Sequence, residues 1–319
     1  MFAKSLVSGF ILLSAWMLTG CDDPKNTTET APTAEKQVIT IEHVQGKTEI
    51  PRHPKKVMVM NMETLDIMDA LGAPVAGIPQ TNVRLPQFLS QYTTSDYINA
   101  GTLFEPAYET LSNAQPDLIL GGGRSRDAYD KLSGVAPTIS MDIDNKNSVK
   151  SLTERTTQLG MIFGKEKQAE DVINAFNAKI NTIKQKTPNA GKAMVILVSG
   201  GKISAYGPGS RFGFLFDELG FEPAYVFAET GTHGNIVNAE LLLKLNPDWL
   251  FVIDRDSAIG RSEAQPAQQI LDNALVRKTS AWKNDQVVYL DPTAVYIAGG
   301  VQTYSQLMDD INNALDRNK

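Results

Sequence analysis

The chain has 319 residues, of which 42% are hydrophobic and 21% charged, and a formal net charge of -6. Those proportions are ordinary for a globular protein, and the length suffices for two lobes with separate cores. There is no basic run or zinc-finger spacing to point to nucleic acid, and no apolar stretch after Leu18 is long enough to be a transmembrane helix.

Lys4 precedes an apolar run from Phe10 to Leu18, broken only by Ser14 and ending in Leu18-Thr19-Gly20-Cys21. A basic start, a short apolar run and small residues at the cut predict a secretory signal over residues 1–20. Cys21 is the sole cysteine, so it has no intramolecular disulfide partner. Leu-Thr-Gly-Cys resembles a bacterial lipobox. That resemblance implies lipidation of Cys21 as the first mature residue, and Asp22 after it implies retention at the inner membrane. The expected location is therefore the periplasm, lipid-anchored to the inner membrane. Residues 21–37 are polar and rich in Thr, Pro, Asn and Glu, the composition of a disordered tether.

Ordered elements begin at Val38. Val38–Ile41 and Lys47–Ile50 flank Gln45-Gly46 and read as a hairpin. Val57–Met60 is a short apolar strand, followed by a helical pattern from Glu63 to Leu71 that Gly72 ends. Leu118–Leu120 is a buried strand running into Gly121-Gly122-Gly123. Lys165 to Lys186 is the longest helical pattern. Val172, Ile173, Phe176, Ile180 and Ile183 recur at helical spacing, with no Gly or Pro between them. Strand and helix then alternate again: a strand at Met194–Val198, a helix at Phe212–Leu219 and a strand at Trp249–Ile253. Such alternation predicts an α/β fold with parallel sheets.

The two halves rhyme. Glu109-Thr-Leu-Ser-Asn-Ala-Gln-Pro116-Asp117-Leu-Ile-Leu120 matches Glu240-Leu-Leu-Leu-Lys-Leu-Asn-Pro247-Asp248-Trp-Leu-Phe251. Leu71-Gly72 and Leu219-Gly220 end helices in each half. Two similarities in the same order predict two similar α/β lobes joined by the long helix. The expected boundaries are 38–164 for the N-terminal lobe, 165–187 for the linker helix and 188–319 for the C-terminal lobe.

In open α/β sheets, ligands bind outside the carboxyl ends of the strands. Arg124 follows the strand Leu118–Leu120 after three glycines, and Arg255 follows Trp249–Ile253 in the same way. Arg211 lies in Gly207-Pro-Gly-Ser-Arg211-Phe-Gly213, a loop leading into a helix. Three arginines thus stand where loops would face a cleft. Arg126 reads as a surface residue. His233 lies in the glycine-flanked loop Gly231-Thr-His233-Gly-Asn235, and Tyr296 in Val295-Tyr296-Ile-Ala-Gly-Gly300. A separation of 63 residues is no recognisable ligand spacing, so spacing alone assigns His233 and Tyr296 no metal.

The lipobox, the two Pro-Asp-strand lobes, the single connecting helix and these motifs resemble the class III substrate-binding lipoproteins of ABC importers for iron siderophores, haem and cobalamin. The similarity runs from about Val38 to Leu315 and implies two Rossmann-like lobes joined by one long rigid helix, with the ligand cleft between them. It is nearest to the CeuE-like and petrobactin-binding group, which takes iron(III)-catecholate siderophores. It implies a non-enzymatic monomer without intrinsic cofactor that hands a ferric siderophore, with a tetradentate bis-catecholate favoured, to an inner-membrane permease and its ATPase. It also implies that Arg124, Arg211 and Arg255 hold the siderophore, and that His233 and Tyr296 complete the iron shell. Chemistry agrees: guanidinium both hydrogen-bonds catecholate oxygens and stacks on the ring. Two catechols fill four of six iron positions, leaving two for an imidazole and a phenolate. Iron(III) with two catecholates carries one net negative charge and a tyrosinate makes it two, which three arginines more than balance. In such importers one exposed glutamate per lobe docks the permease, a role the resemblance gives to Glu109 and Glu240. An acid in a helix's first turn is equally explained by the helix dipole.

Haem or cobalamin as cargo is the alternative within the same class. A hydrolase is disfavoured, since Ser210 lacks the glycine two residues on that a nucleophile elbow requires, and only His43, His53 and His233 exist. A bare-metal site would need several histidines and carboxylates converging, and histidines are few.

Overall fold

The computed structural model describes residues 38–80, 84–228 and 231–317. The signal, Cys21 and the tether lie outside the described residues, and so does the predicted lipid attachment. Among the described residues no helix is long and apolar enough to cross a membrane.

The hairpin forms with strands β1 (Val38–His43) and β2 (Gly46–Pro51), its two-residue turn being Val44-Gln45. Five strands then build a wholly parallel sheet: β3 (Val57–Val59), β4 (Gly77–Ile78), β5 (Ile98–Asn99), β6 (Leu118–Gly121) and β7 (Thr138–Ser140), in the order β5-β4-β3-β6-β7. The second sheet is mixed. Its strands are β8 (Lys192–Ser199), β9 (Lys202–Tyr206), β10 (Glu222–Pro223), β11 (Asn235–Val237), β12 (Trp249–Asp254) and β13 (Val287–Tyr289). The order is β11-β9-β8-β12-β13, with β10 paired to the start of β8. β8, β10, β12 and β13 run parallel, while β9 and β11 pair antiparallel.

Parallel strands are covered on both faces, and alternate residues go to different cores. In β3, Val57 and Val59 face one way and Met58 the other. In β8, Val195 and Leu197 part from Met194, Ile196 and Val198; in β12, Trp249, Phe251 and Ile253 part from Leu250 and Val252. The outer face of each sheet has its own core, but the inner faces share one. Two long helices fill that shared core. Glu166–Lys184 contributes Ala169, Phe176, Ile180 and Ile183, and the C-terminal helix Val301–Arg317 contributes Leu307, Met308, Ile311 and Leu315. Lys179 Nζ meets Asp309 Oδ2 at 2.6 Å and Lys186 Nζ meets Asp316 Oδ2 at 2.8 Å, fastening one helix along the other.

The predicted helix over Lys165–Lys186 is thus Glu166–Lys184. Phe212–Leu219 is only one α-turn, Phe214–Asp217, because turns occupy the residues before it. The pattern reading passed over Ser148–Phe163, a 16-residue helix whose polar positions dilute its apolar face.

The repeated motif has a physical reason. Each copy ends a short helix (Tyr108–Ala114, Ala239–Leu245) with a left-handed residue, Gln115 or Asn246, before Pro-Asp. Asp117 Oδ2 then accepts from the Lys55 and Lys56 backbone N–H groups at 3.0 and 2.9 Å, and Asp248 Oδ2 accepts from that of Lys192 at 2.8 Å. Both aspartates tie the start of a strand to the start of its neighbour.

Two helix N-termini are capped from the opposite sheet's side of the chain. Glu218 Oε1 accepts from the backbone N–H of Val149 at 3.2 Å, at the start of Ser148–Phe163, where Asn147 supplies no side-chain cap. Asp66, fully buried in the helix Met62–Ala70, accepts from the N–H groups of Gln302 (2.7 Å), Thr303 (2.9 Å) and Gly300 (3.2 Å) and from Thr303 Oγ1 (2.7 Å). Orphan donors of a helix start are satisfied in this way.

Burial pushes the Asp66 carboxyl up to about 6, against the pull of the four hydrogen bonds. With a folded pKa above the unfolded one, the native state binds the proton first. Stability from this group therefore rises as pH falls from about 6 to 4 and is lost as pH climbs back through that window. Asp66→Ala should cost about 2–4 kcal/mol at neutral pH by orphaning these donors. Urea denaturation should also show wild type gaining on Asp66→Asn as pH drops from 7 to 4.

Candidate functional site: an arginine-ringed cleft

The cleft has an outer part of about 790 Å³ and an inner part of about 280 Å³. Arg126, Asp142, Arg211 and Thr232 border both. Its centre is Tyr296, half-buried in a π-helical turn, Ala294–Ala298, closed by the Gly299 N–H to the Ala294 carbonyl at 3.0 Å. Gly299, with φ 75°, ends the turn, and the next N–H, of Gly300, turns to Asp66. The Tyr296 carbonyl is thereby left without a helical partner, as carbonyls at helix ends are.

Guanidinium groups take its place. Arg124 Nη2 and Arg211 Nη2 each donate to the Tyr296 carbonyl at 2.7 Å. Arg255 Nε donates to the Tyr296 hydroxyl at 2.7 Å, and its Nη1 to Ser199 Oγ at 3.1 Å. All three lie over the Tyr296 ring, with Cζ 4.6 Å (Arg211), 5.4 Å (Arg255) and 5.7 Å (Arg124) from its centroid. The strand-end argument accounts for the convergence. Arg124 opens out of the turn after β6, and Arg255 starts a short helix, Arg255–Ala258, whose N-terminus Asp254 caps. Arg211 comes from the loop between β9 and the turn at Phe214. Gly122 and Gly123 both have positive φ, and they let the Arg124 loop close down: a Cβ at Gly123 would lie 3.1 Å from Asn61 Nδ2 and 3.3 Å from Glu63 Oε2.

The arginines act on the phenol. Burial alone would raise the Tyr296 pKa, but the Arg255 hydrogen bond and the charges of Arg255, Arg211 and Arg124 outweigh it and hold the group below the ordinary tyrosine value. Burial moves Tyr92, Tyr206, Tyr289 and Tyr304 the other way, Tyr304 to about 12.

Four of the residues singled out from sequence therefore meet at one point: Arg124, Arg211, Arg255 and Tyr296. His233 does not join them. It is exposed in the loop before β11, whose Gly231 and Thr232 border the cleft. Glu109 and Glu240 are exposed, each in the first turn of its helix. Arg126 is 56% exposed, as a surface residue would be, yet it borders the cleft and pairs with Asp142 Oδ1 at 2.6 Å. Sequence reasoning missed Asn61, Glu63 and Asp142. The strand-end rule that found the arginines would have found Asn61 and Glu63, which directly follow β3. Among the described residues no group of three or more His, Cys, Asp or Glu could hold a metal ion.

The family model described as Periplasmic binding protein matches residues 57–294. The chain belongs to the periplasmic binding protein family. Its members bind cargo rather than transform it, and membership places the folded body outside the cytoplasm. The chain is 34% identical over 312 residues to the petrobactin-binding protein YclQ of Bacillus subtilis, covering 96% of this chain and 97% of that one. It is 33% identical over 301 residues to the ferric-anguibactin-binding protein FatB of Vibrio anguillarum, covering 92% of each. Among solved structures, YclQ superposes with a TM-score of 0.83 at 35% identity, over 88% of this chain and 99% of that one. The periplasmic catecholate-siderophore binding protein VctP of Vibrio cholerae gives 0.82 at 32%, over 87% and 100%. These folds match the two-sheet α/β architecture described above.

Of the tyrosines on which burial acts, Tyr296 should ionise first. Ultraviolet difference titration should show a phenol ionising below the ordinary range in wild type, a component lost in Tyr296→Phe.

Proposed function

We propose that this periplasmic binding protein is the substrate-binding component of an ABC importer and captures an iron(III)-catecholate siderophore, with a tetradentate bis-catecholate favoured. The observation that carries this reading is the set of three guanidinium groups around one tyrosine whose phenol they make more acidic. Such a site suits a flat anion that can be both hydrogen-bonded and stacked upon. It also suits a metal that accepts a phenolate, since ligation and guanidinium both favour the charged form. The relatives' names, for petrobactin, ferric anguibactin and catecholate siderophores, support the same cargo class.

In this reading the arginines exchange their bonds to the Tyr296 carbonyl for catecholate oxygens, and the Tyr296 phenolate fills one of the two iron positions that a bis-catecholate leaves open. His233 fills the other, its loop moving in from the cleft border. The iron complex is cargo, so no resident cofactor is invoked. Each docking glutamate starts a helix that reverses through Pro-Asp into a strand ending at a cleft arginine. The reversal puts the helix start at the same sheet edge as the strand's carboxyl end. Glu109 and Glu240 therefore sit on the cleft side of their lobes, where a permease receiving the cargo would engage. We place the folded body on a lipid at Cys21, with residues 38–164 and 188–319 as the lobes and 165–187 as their linker.

A ferric bis-catecholate should bind with Kd below about 1 µM and quench intrinsic fluorescence; no change on titration would remove this cargo. Tyr296→Phe should shift or abolish the tyrosinate-to-iron charge-transfer band, and an unchanged spectrum would exclude Tyr296 as a ligand. Glu109→Ala with Glu240→Ala should abolish uptake while leaving ligand affinity within about twofold.

A further inference from the structure

Glu63 is the one carboxylate on the inner cleft that no arginine side chain binds directly in the described hydrogen bonds and ion pairs. It stands in the first turn of the helix Met62–Ala70, just past the carboxyl end of β3, and borders the same inner space as Arg124, Arg211 and Tyr296. Two backbone segments close on it as glycines. A Cβ at Gly123 would come 3.3 Å from Glu63 Oε2, and one at Gly299 would come 3.4 Å from its Cγ. Its neighbour Asn61 is only 2% exposed. Asn61 borders the same space; its Oδ1 caps the helix through the Thr64 N–H, and its Nδ2 is buried without a partner. The other cleft carboxylate, Asp142, is used up: Arg126 Nε and Nη2 hold its Oδ1 at 3.0 and 2.6 Å, the Gly123 N–H reaches Oδ1 at 2.8 Å and Ser140 Oγ reaches Oδ2 at 2.6 Å.

We infer that Glu63 is a specificity-determining residue that sets the net charge of the cleft, favouring a ferric bis-catecholate over a ferric tris-catecholate. This rests on the cargo class proposed above. Burial makes the Glu63 carboxyl less acidic, while the charges of Arg124 and Arg211 pull it back toward the ionised form. In the inner site around Tyr296, with Arg126 and Asp142 cancelling, Arg124, Arg211 and Arg255 face this one carboxylate, and the ionised group sums to two positive charges. A ferric bis-catecholate brings one negative charge and the Tyr296 phenolate another, so the loaded inner site is neutral. A tris-catecholate fills all six iron positions itself, needs no phenolate and brings three negative charges. It leaves one negative charge uncompensated in a partly dried space beside Glu63, where an unbalanced charge is costly. Without the Glu63 charge the balance reverses: the tris-catecholate is neutralised and the bis-catecholate leaves a positive excess. An acid at a helix N-terminus also favours the helix dipole, but that role stabilises the protein alike with either ligand and cannot change their ratio.

The test is the ratio of Kd values for a tetradentate ferric bis-catecholate and for ferric enterobactin, measured by fluorescence quenching on wild type, Glu63→Gln and Glu63→Asp. Glu63→Gln should move the ratio toward the tris-catecholate by about tenfold or more, the scale of one unit charge a few ångströms away in a half-buried site. Glu63→Asp, which keeps the charge, should stay with wild type. Glu63→Ser removes the same charge with a smaller side chain and should shift the ratio in the same direction, so the outcome does not hang on one variant. Ratios within about twofold of wild type for both charge-removing variants, with both ligands binding, would overturn the role of Glu63 and leave the cargo class standing. Wild type that binds neither ligand would overturn the cargo class and this inference with it.

Discussion

Three guanidinium groups crowd around one tyrosine, and like charges do not gather in a half-buried space unaided. What holds them is an orphan carbonyl. The turn carrying Tyr296 ends at Gly299 with a left-handed backbone, and the N–H groups of Gly300, Gln302 and Thr303 are taken by Asp66. The Tyr296 carbonyl therefore has no helical partner and accepts from Arg124 and Arg211, while its hydroxyl accepts from Arg255. The ring gives all three a negative face to lie on. One residue thus supplies three kinds of anchor, and the price of assembling positive charge falls on helix-end geometry rather than on a matching set of carboxylates.

That arrangement depends on a carboxylate outside the cleft. Asp66 orients the start of the C-terminal helix, and with it the end of the turn that presents Tyr296. Thr303 links the two, receiving the Gly299 N–H at 3.2 Å while donating to Asp66 at 2.7 Å. The carboxylates nearer the cargo divide their work. Asp142 fixes the Arg124 loop through Gly123 and neutralises Arg126, whereas Glu63 remains to face whatever enters.

Much of this was legible in the sequence. Period-two apolar strands, the glycine that ends the first helix, the long uninterrupted helical pattern and the Pro-Asp repeat are local or nearly local signals, and each has its counterpart in the fold. Arg124 and Arg255 were found because strand ends are where α/β sheets bind ligands. Ser148–Phe163 was passed over because its buried face includes Ser148, Ser151, Thr156 and Gly160, which do not read as apolar. The π turn, the Asp66 cap and the closeness of Glu63 to Gly123 and Gly299 were out of reach. They join residues up to 237 positions apart, and nothing in a one-dimensional pattern encodes such pairings.

The reciprocal caps have a mechanical meaning. Asp66 finishes a helix that follows the second sheet, and Glu218, beyond that sheet's first strands, finishes a helix that follows the first. The inner faces of both sheets share a single apolar core, and Lys179 and Lys186 bolt the C-terminal helix to the helix Glu166–Lys184 and the residues just after it. Prising the halves apart would uncap both helices and open that core to water. A frame built this way makes any parting of the two halves costly, so the adjustments that admit a ligand fall to side chains and loops at the cleft rather than to the halves. The same stiffness bears on release, which meets that cost wherever it needs the halves to part.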